Sequence, residues 1–407
     1  MAGAMTDRGV QYPCCAPRRG RWAGIRPHIV NLTDGQFSQT GRMHSCVHDV
    51  DAIFDVHLPD FLEKAARLDG DGPVPLMIWA HGGVVSETRG LTIAENQVPW
   101  WLANGVYPLH FVWETGFLAT ARQVFGRRAR HRLTGDPALR ASLQADPGTG
   151  PASGAAKSPH TSTGSGLPAG PVLEVPEYTG PLAARPWAAL KRSAAAASAP
   201  DGGARYVAER LARFCREHRT PTGEPRVSLH AVGHSAGAVF HADFLPMAKQ
   251  LQVPGFSSLQ LLAPAVRVDD FRSAILSLVD QDIRRVTVFT MNSAAENADT
   301  CFRFYRQSLL YLISRRFEQE KNAPILGLEE SIRSDPDLVA AFGLNGNRGA
   351  LDIVFSPTPN DAPPHSRSLS ISHGGFDDDP ATMNSLARRI LGRPDIARYP
   401  TGDGAAG

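Results

Sequence analysis

Short apolar runs recur along the chain with helically spaced segments between them: Pro75-Leu76-Met77-Ile78-Trp79-Ala80, Val106 to Trp113, Val227 to Val232, Leu259 to Ala263 and Val286 to Met291. A run apolar at consecutive positions is the pattern of a strand buried on both faces. Its alternation with helical spacing predicts an α/β protein whose mostly parallel central sheet carries helices on both faces.

Other stretches complete this outline. Pro27 to Asn31 and the alternating Asp51 to Leu58 read as early strands, followed by a short helix at Leu62 to Leu68. A helix containing Trp100, Trp101 and Leu102 stops at Asn104-Gly105, and another spans about 203 to 218 with Tyr206, Leu211 and Phe214 on one side. Further helical spacing falls around Phe271 to Leu278, at about 302 to 320 and near 334 to 342, and a final helix covers Pro380 to Leu391. Leu351 to Phe355 and Ser368 to Ser372 read as the last strands, and Pro246 is expected to kink or stop its helix near Leu245.

The chain of 407 residues is long enough for one large domain with insertions. Residues 1–45 read as an N-terminal extension and first strand, and their first 24 residues, rich in Arg, Gly, Pro and Cys, are expected to form a loose leader. The core is discontinuous, 46–117 and 205–395, with a tail over 396–407 expected to be flexible. Between the two parts lies an insertion, 118–204, dominated by Gly, Pro, Ala, Ser and Thr; such composition buries too little apolar surface to offset ordering entropy, so it is expected to be largely flexible.

A formal charge of +2 gives no push toward nucleic acid, so a small molecule is the expected partner. Five cysteines without a C-x-x-C pair indicate neither a disulfide framework nor a zinc site. The first residues lack an apolar signal core and no run approaches a membrane span, so a cytoplasmic protein is expected. The cluster Arg122, Arg127, Arg128, Arg130 and Arg132 reads as a solvated face, with docking on an anionic surface as the other reading.

The chemistry concentrates at Gly233-His234-Ser235-Ala236-Gly237, where one apolar run stops and the helical spacing Ala236, Phe240, Phe244, Ala248 begins. A turn this abrupt strains its central residue and needs small residues two positions to either side. It also lifts the Ser235 hydroxyl out of the sheet and aims the first helix amides, starting with Ala236, at nascent negative charge. A serine nucleophile needs a base and an acid that orients it. His373, after the last expected strand and beside Gly374-Gly375, is the candidate base, whereas His365 lies at the opposite end of that strand. Asp299, after the strand ending at Met291, is the candidate acid, with Glu296 in reserve; Asp269 and Asp270 read as helix caps. His81-Gly82-Gly83, ending an earlier strand, offers a second oxyanion donor from Gly82 or Gly83 beside Ala236, with His81 in a structural role. Phe302, Phe304, Tyr305 and Leu309 to Ile313 read mostly as core.

These residues resemble the α/β-hydrolase superfamily of serine hydrolases over roughly 46 to 117 and 205 to 395: a His-Gly-Gly turn, the serine elbow, then acid and histidine in that order. The resemblance implies hydrolysis of an ester or related acyl bond by Ser235, His373 and Asp299 through an acyl-enzyme, as in carboxylesterases and lipases, with no metal or cofactor. A peptidase or thioesterase on the same residues and a non-catalytic binding module with this fold stay open. Val84 stands where lipases and esterases related to hormone-sensitive lipase often carry a third glycine.

Overall fold

The computed structural model describes residues 20–69, 72–83, 85–114, 180–301 and 305–401. The arginine cluster, Phe302, Phe304 and residues 118–179 of the insertion lie outside the described residues.

An eight-stranded sheet organises the chain, in the order β2-β1-β4-β3-β5-β6-β7-β8. Its strands are β1 (Ile29–Thr33), β2 (Gln36–Phe37), β3 (Val74–Ala80), β4 (Tyr107–Glu114), β5 (Val227–His234), β6 (Phe256–Leu262), β7 (Val286–Met291) and β8 (Asp352–Ser356). Only the short β2 runs antiparallel, against β1; every other pair is parallel. The two longest ladders meet at the centre, where β3 pairs with β5 from Val74↔Val227 to Ala80↔Gly233.

The apolar runs explain this burial directly. Along β3, Leu76, Ile78 and Ala80 join one core cluster and Met77 and Trp79 the other, so a strand without alternation feeds both faces. Helices fill those faces: α1 (Val47–Ala52), α2 (Leu58–Asp69), α3 (Glu87–Ala103), α4 (Gly180–Ser198), α5 (Gly203–Glu217), α6 (Gly237–Gln250), α7 (Ser293–Ala298) and α8 (Pro380–Leu391), with shorter turns between them. Ser86 caps α3 by accepting the Arg89 N–H, and Gly105, at φ 74°, takes the left-handed turn that follows its end. Asp379 and Pro380 start α8, and Gly392 at φ 64° ends it.

Five expectations change. Residues 51–58 are helical, because Val50, Ile53, Phe54, Leu58 and Leu62 form a buried stripe at helical spacing that outweighs the local alternation. Residues 368–372 are not a ladder strand; they run back beside the β8 end, with the Thr358 N–H donating to Ser368 O at 2.8 Å and Ser356 Oγ to Ser370 O at 2.6 Å. The helix expected over 302–320 is short, Leu309–Leu312 continued by a wider turn to Phe317, and its residues 309–313 are core. Helix α6 passes Pro246 and continues to Gln250.

The fifth concerns the insertion. Where it is described, from 180 onward, it is α4, with Trp187, Leu190, Ala194 and Ala197 buried. Alanine is the best helix former, and these residues make one apolar stripe, so residues 180–198 form a packed helix despite their low-complexity composition. Burying Leu190 contributes about 1.5–3 kcal/mol. Glu318 holds the helix further, accepting from Trp187 Nε1 at 2.5 Å and from Lys191 Nζ at 2.8 and 2.9 Å. None of the described helices is long and apolar enough to cross a membrane.

Burial of neutral histidines makes this core acid-sensitive. Burial pushes His28, His81, His230 and His241 down to about 4, and His110 and His373 to about 3. The unfolded chain accepts these protons near pH 6.5 and the folded chain resists them, so stability present above 6.5 is lost as pH falls toward 4. Urea denaturation should show stability dropping between pH 6.5 and 5 by up to about 1.4 kcal/mol per pH unit for each histidine. His110→Phe should flatten that slope by one proton.

Candidate active site

Strand β5 ends at His234, α6 begins at Gly237, and Ser235 sits between them at φ 53°. Left-handed backbone costs an ordinary residue about 1–2 kcal/mol, so the surroundings must hold it. The Ser235 N–H donates to Leu262 O at 2.8 Å, and Ser235 O accepts from Ala265 at 3.0 Å and Ala238 at 3.1 Å. The two glycines make room: a Cβ on Gly237 would lie 2.0 Å from Ala80 O, and one on Gly233 would lie 2.8 Å from the Gly237 main chain. Small residues at these positions let α6 start directly over the end of β3.

Ser235 Oγ and His373 Nε2 lie 2.8 Å apart. The pair joins two distant pieces of chain, and His373 heads the turn His373–Gly375 after the returning segment 368–372. Burial, then the nearby charge of His234, keeps His373 neutral at about 3, against a smaller opposing pull from Asp377. A neutral imidazole can accept the Ser235 hydroxyl proton through Nε2 and carry its own on Nδ1.

Asp299 caps the end of α7 and reaches His373, but through the main chain: its Oδ2 accepts the His373 N–H at 2.9 Å and its Oδ1 the Thr300 N–H at 2.7 Å. His373 Nδ1 has no hydrogen-bond partner among the described residues. The expected acid therefore anchors the segment that carries the histidine; it does not orient the ring. Glu296, the reserve, is fully buried in the same helix, and burial pushes it up to about 8 against a smaller opposing pull from the Ser308 side chain. It stays protonated at neutral pH, away from the role of a fixed carboxylate. Asp269 pairs with Arg267 and accepts the Asp270 N–H, in keeping with an end-of-helix role.

Gly82 faces the serine closely: a Cβ there would lie 3.1 Å from Ser235 Cβ and 3.6 Å from its Oγ. Beside it, a Cβ on Gly83 would meet Leu190 Cδ1 of α4 at 2.1 Å and Ala236 Cβ at 3.0 Å. The His-Gly-Gly turn, Ala236 and the serine thus share one small space, covered by the insertion's helix. Ser235 is 3% exposed and His373 7%. His81 commits both ring nitrogens to the main chain, Nδ1 donating to Gly82 O at 2.8 Å and Nε2 accepting the Trp113 N–H at 3.2 Å. Its ring fixes the Gly82 carbonyl and so the plane of the peptide to Gly83.

Two residues at the site carried no expectation. His234, inside the elbow, places Nε2 3.0 Å from the His373 carbonyl and Nδ1 3.5 Å from Asp377 Oδ2. Asp377 follows His373 closely in sequence, and that Asp-rich stretch beside a candidate base was the available signal.

Gly237→Ala puts a carbon against the Ala80 carbonyl and should destabilise the protein by about 1–3 kcal/mol in urea denaturation. Gly82→Ala, whose new carbon meets a side-chain carbon at 3.1 Å, should cost less.

No family model matches the chain, and searches of curated proteins and of solved structures return no match.

Proposed function

We propose that the protein is a serine hydrolase acting on an ester or related acyl bond. One observation carries the reading: a serine held at φ 53° in a strand-to-helix turn, with a neutral histidine nitrogen 2.8 Å from its hydroxyl. The mostly parallel sheet, and a serine elbow followed later in the chain by the histidine that reaches its hydroxyl, support placing it beside the α/β-hydrolases.

Ser235 Oγ attacks the acyl carbon while its proton passes to His373 Nε2. The carbonyl oxygen becomes an oxyanion, which amides from Ala236 and from Gly82 or Gly83 stabilise. A base held near 3 takes a proton weakly in the resting state, and the adjacent oxyanion favours the imidazolium as it forms. His373 then protonates the leaving group as its bond to the acyl carbon breaks. A water attacks the acyl carbon while losing a proton to His373, and His373 returns that proton to Ser235 Oγ as the acyl–serine bond breaks and the acid leaves. Asp299 contributes by fixing the His373 main chain.

A fluorophosphonate probe should label the protein, and Ser235→Ala should abolish labelling with the fold intact. Absence of labelling in folded protein would overturn the reading and favour a non-catalytic binding module, which the low exposure of Ser235 suits. Because His373 is neutral down to about 3, labelling should hold as pH falls from 7 to 5 in protein that circular dichroism shows to be folded. Asp299→Asn keeps an acceptor for the His373 N–H and should lower activity by less than the ~10⁴-fold typical where the carboxylate holds the ring. A panel of esters, thioesters and peptides of graded chain length separates the acyl classes.

A further inference from the structure

We propose, resting on the hydrolase reading, that His234 is a positioning residue: an imidazolium held between the Asp377 carboxylate and the His373 carbonyl, it fixes the base from the carbonyl side. The argument is one of donors and acceptors. His234 Nε2 lies 3.0 Å from His373 O, and Nδ1 lies 3.5 Å from Asp377 Oδ2. Both neighbours are acceptors. A neutral imidazole has one N–H, so either tautomer sets a lone pair against the carbonyl or against the carboxylate. The doubly protonated ring donates through Nε2 to the carbonyl and turns a charged N–H toward the carboxylate, at an ion-pair distance longer than a direct hydrogen bond.

The surroundings agree. His234 and Asp377 are both buried, and a buried charge persists only when paired. Burial, the largest single influence on His234, pushes it down, but Asp377, the His373 carbonyl and Asp378 together raise it above its ordinary value. Burial likewise pushes Asp377 up, and His234 and Arg89 outweigh it. Arg89 also binds the neighbouring Asp378 at 2.7 Å. Gln97 Nε2 donates to Asp377 O at 3.2 Å and tethers the acid's main chain to α3. The other titratable neighbours are His81, kept neutral by burial, and His373 itself, whose ring centre lies 5.7 Å from that of His234.

His373 is then gripped at both ends of its main chain, its N–H by Asp299 and its carbonyl by His234. This explains how a ring with no Nδ1 partner among the described residues keeps its Nε2 on the serine. It also places the grip within the elbow, since His234 immediately precedes Ser235. Nucleophile and base are fixed relative to each other through one adjacent residue.

The test uses the full chain labelled with ¹⁵N-histidine. At pH 7 the His234 ring, assigned by its loss in His234→Gln, should show both nitrogens protonated, and Asp377→Asn should leave one. A neutral ring in the wild type overturns the proposal whether or not Ser235 is reactive. If the ring is doubly protonated but the probe never labels Ser235, the hydrolase reading fails and the grip stands as a structural one. In labelling protein, His234→Phe should lower the rate by on the order of 100-fold, as misplacement of a reacting group does. His234→Gln, which keeps an N–H for the His373 carbonyl, should recover most of it. The wild type should lose rate at alkaline pH as His234 deprotonates; this limb should move down in Asp377→Asn and vanish in His234→Gln. Wild-type rate and pH profile in His234→Phe would overturn the positioning role.

Discussion

The crossing of α6 over the end of β3 governs the arrangement around Ser235. Gly237 approaches so near to Ala80 O that a methyl there would lie 2.0 Å from it, and this approach forces the chain to turn within the single residue Ser235. The strain of that turn is offset by ordinary interactions: a main-chain bond to Leu262 on the next strand and two to Ser235 O from the chain that follows. The Ser235 side chain held this way meets His373 Nε2 at 2.8 Å. The placement of Ser235 follows from packing.

The histidine partner is held differently. His373 is not carried by a strand; it lies on an irregular segment that returns along the β8 end through the Ser356, Thr358, Ser368 and Ser370 contacts. Such a segment needs external fixation, and polar side chains provide it: Asp299 from α7 and His234 from the elbow bind its main chain, while Asp379 caps α8 just beyond. Burial of the imidazole supplies the neutral form. The cost is the one shared with His28, His81, His110, His230 and His241, a folded state that resists protonation at acid pH.

Much of this was readable from the chain. Consecutive apolar positions marked β3 because burial on both faces leaves no alternation to read, apolar runs interrupted by single polar residues marked β5, β6 and β7, and Gly233-x-Ser235-x-Gly237 marked the elbow because a one-residue reversal tolerates only small neighbours. Position along the chain also picked out His373 and Asp299. Residues 51–58 misled because a short alternating stretch fits both periods, and the longer stripe from Val50 to Leu62 was decisive. Residues 180–198, at the end of the insertion, were hard to read because their alanines count as low complexity by composition yet form the packed helix α4.

The sequence by itself determined the class of fold, the turn that bears Ser235 and the pairing partners on offer, since each depends on local steric needs or on periodicity. Only the tertiary structure decided which atoms those partners use. Whether the Asp299 carboxylate meets a ring nitrogen or a main-chain N–H turns on ångström-scale placement of an irregular segment, and whether His234 faces one acceptor or two depends on where residue 377 returns in space. Hydrogen bonding resolves such differences, because its energy falls steeply with distance and angle, and no pattern of residue types encodes them.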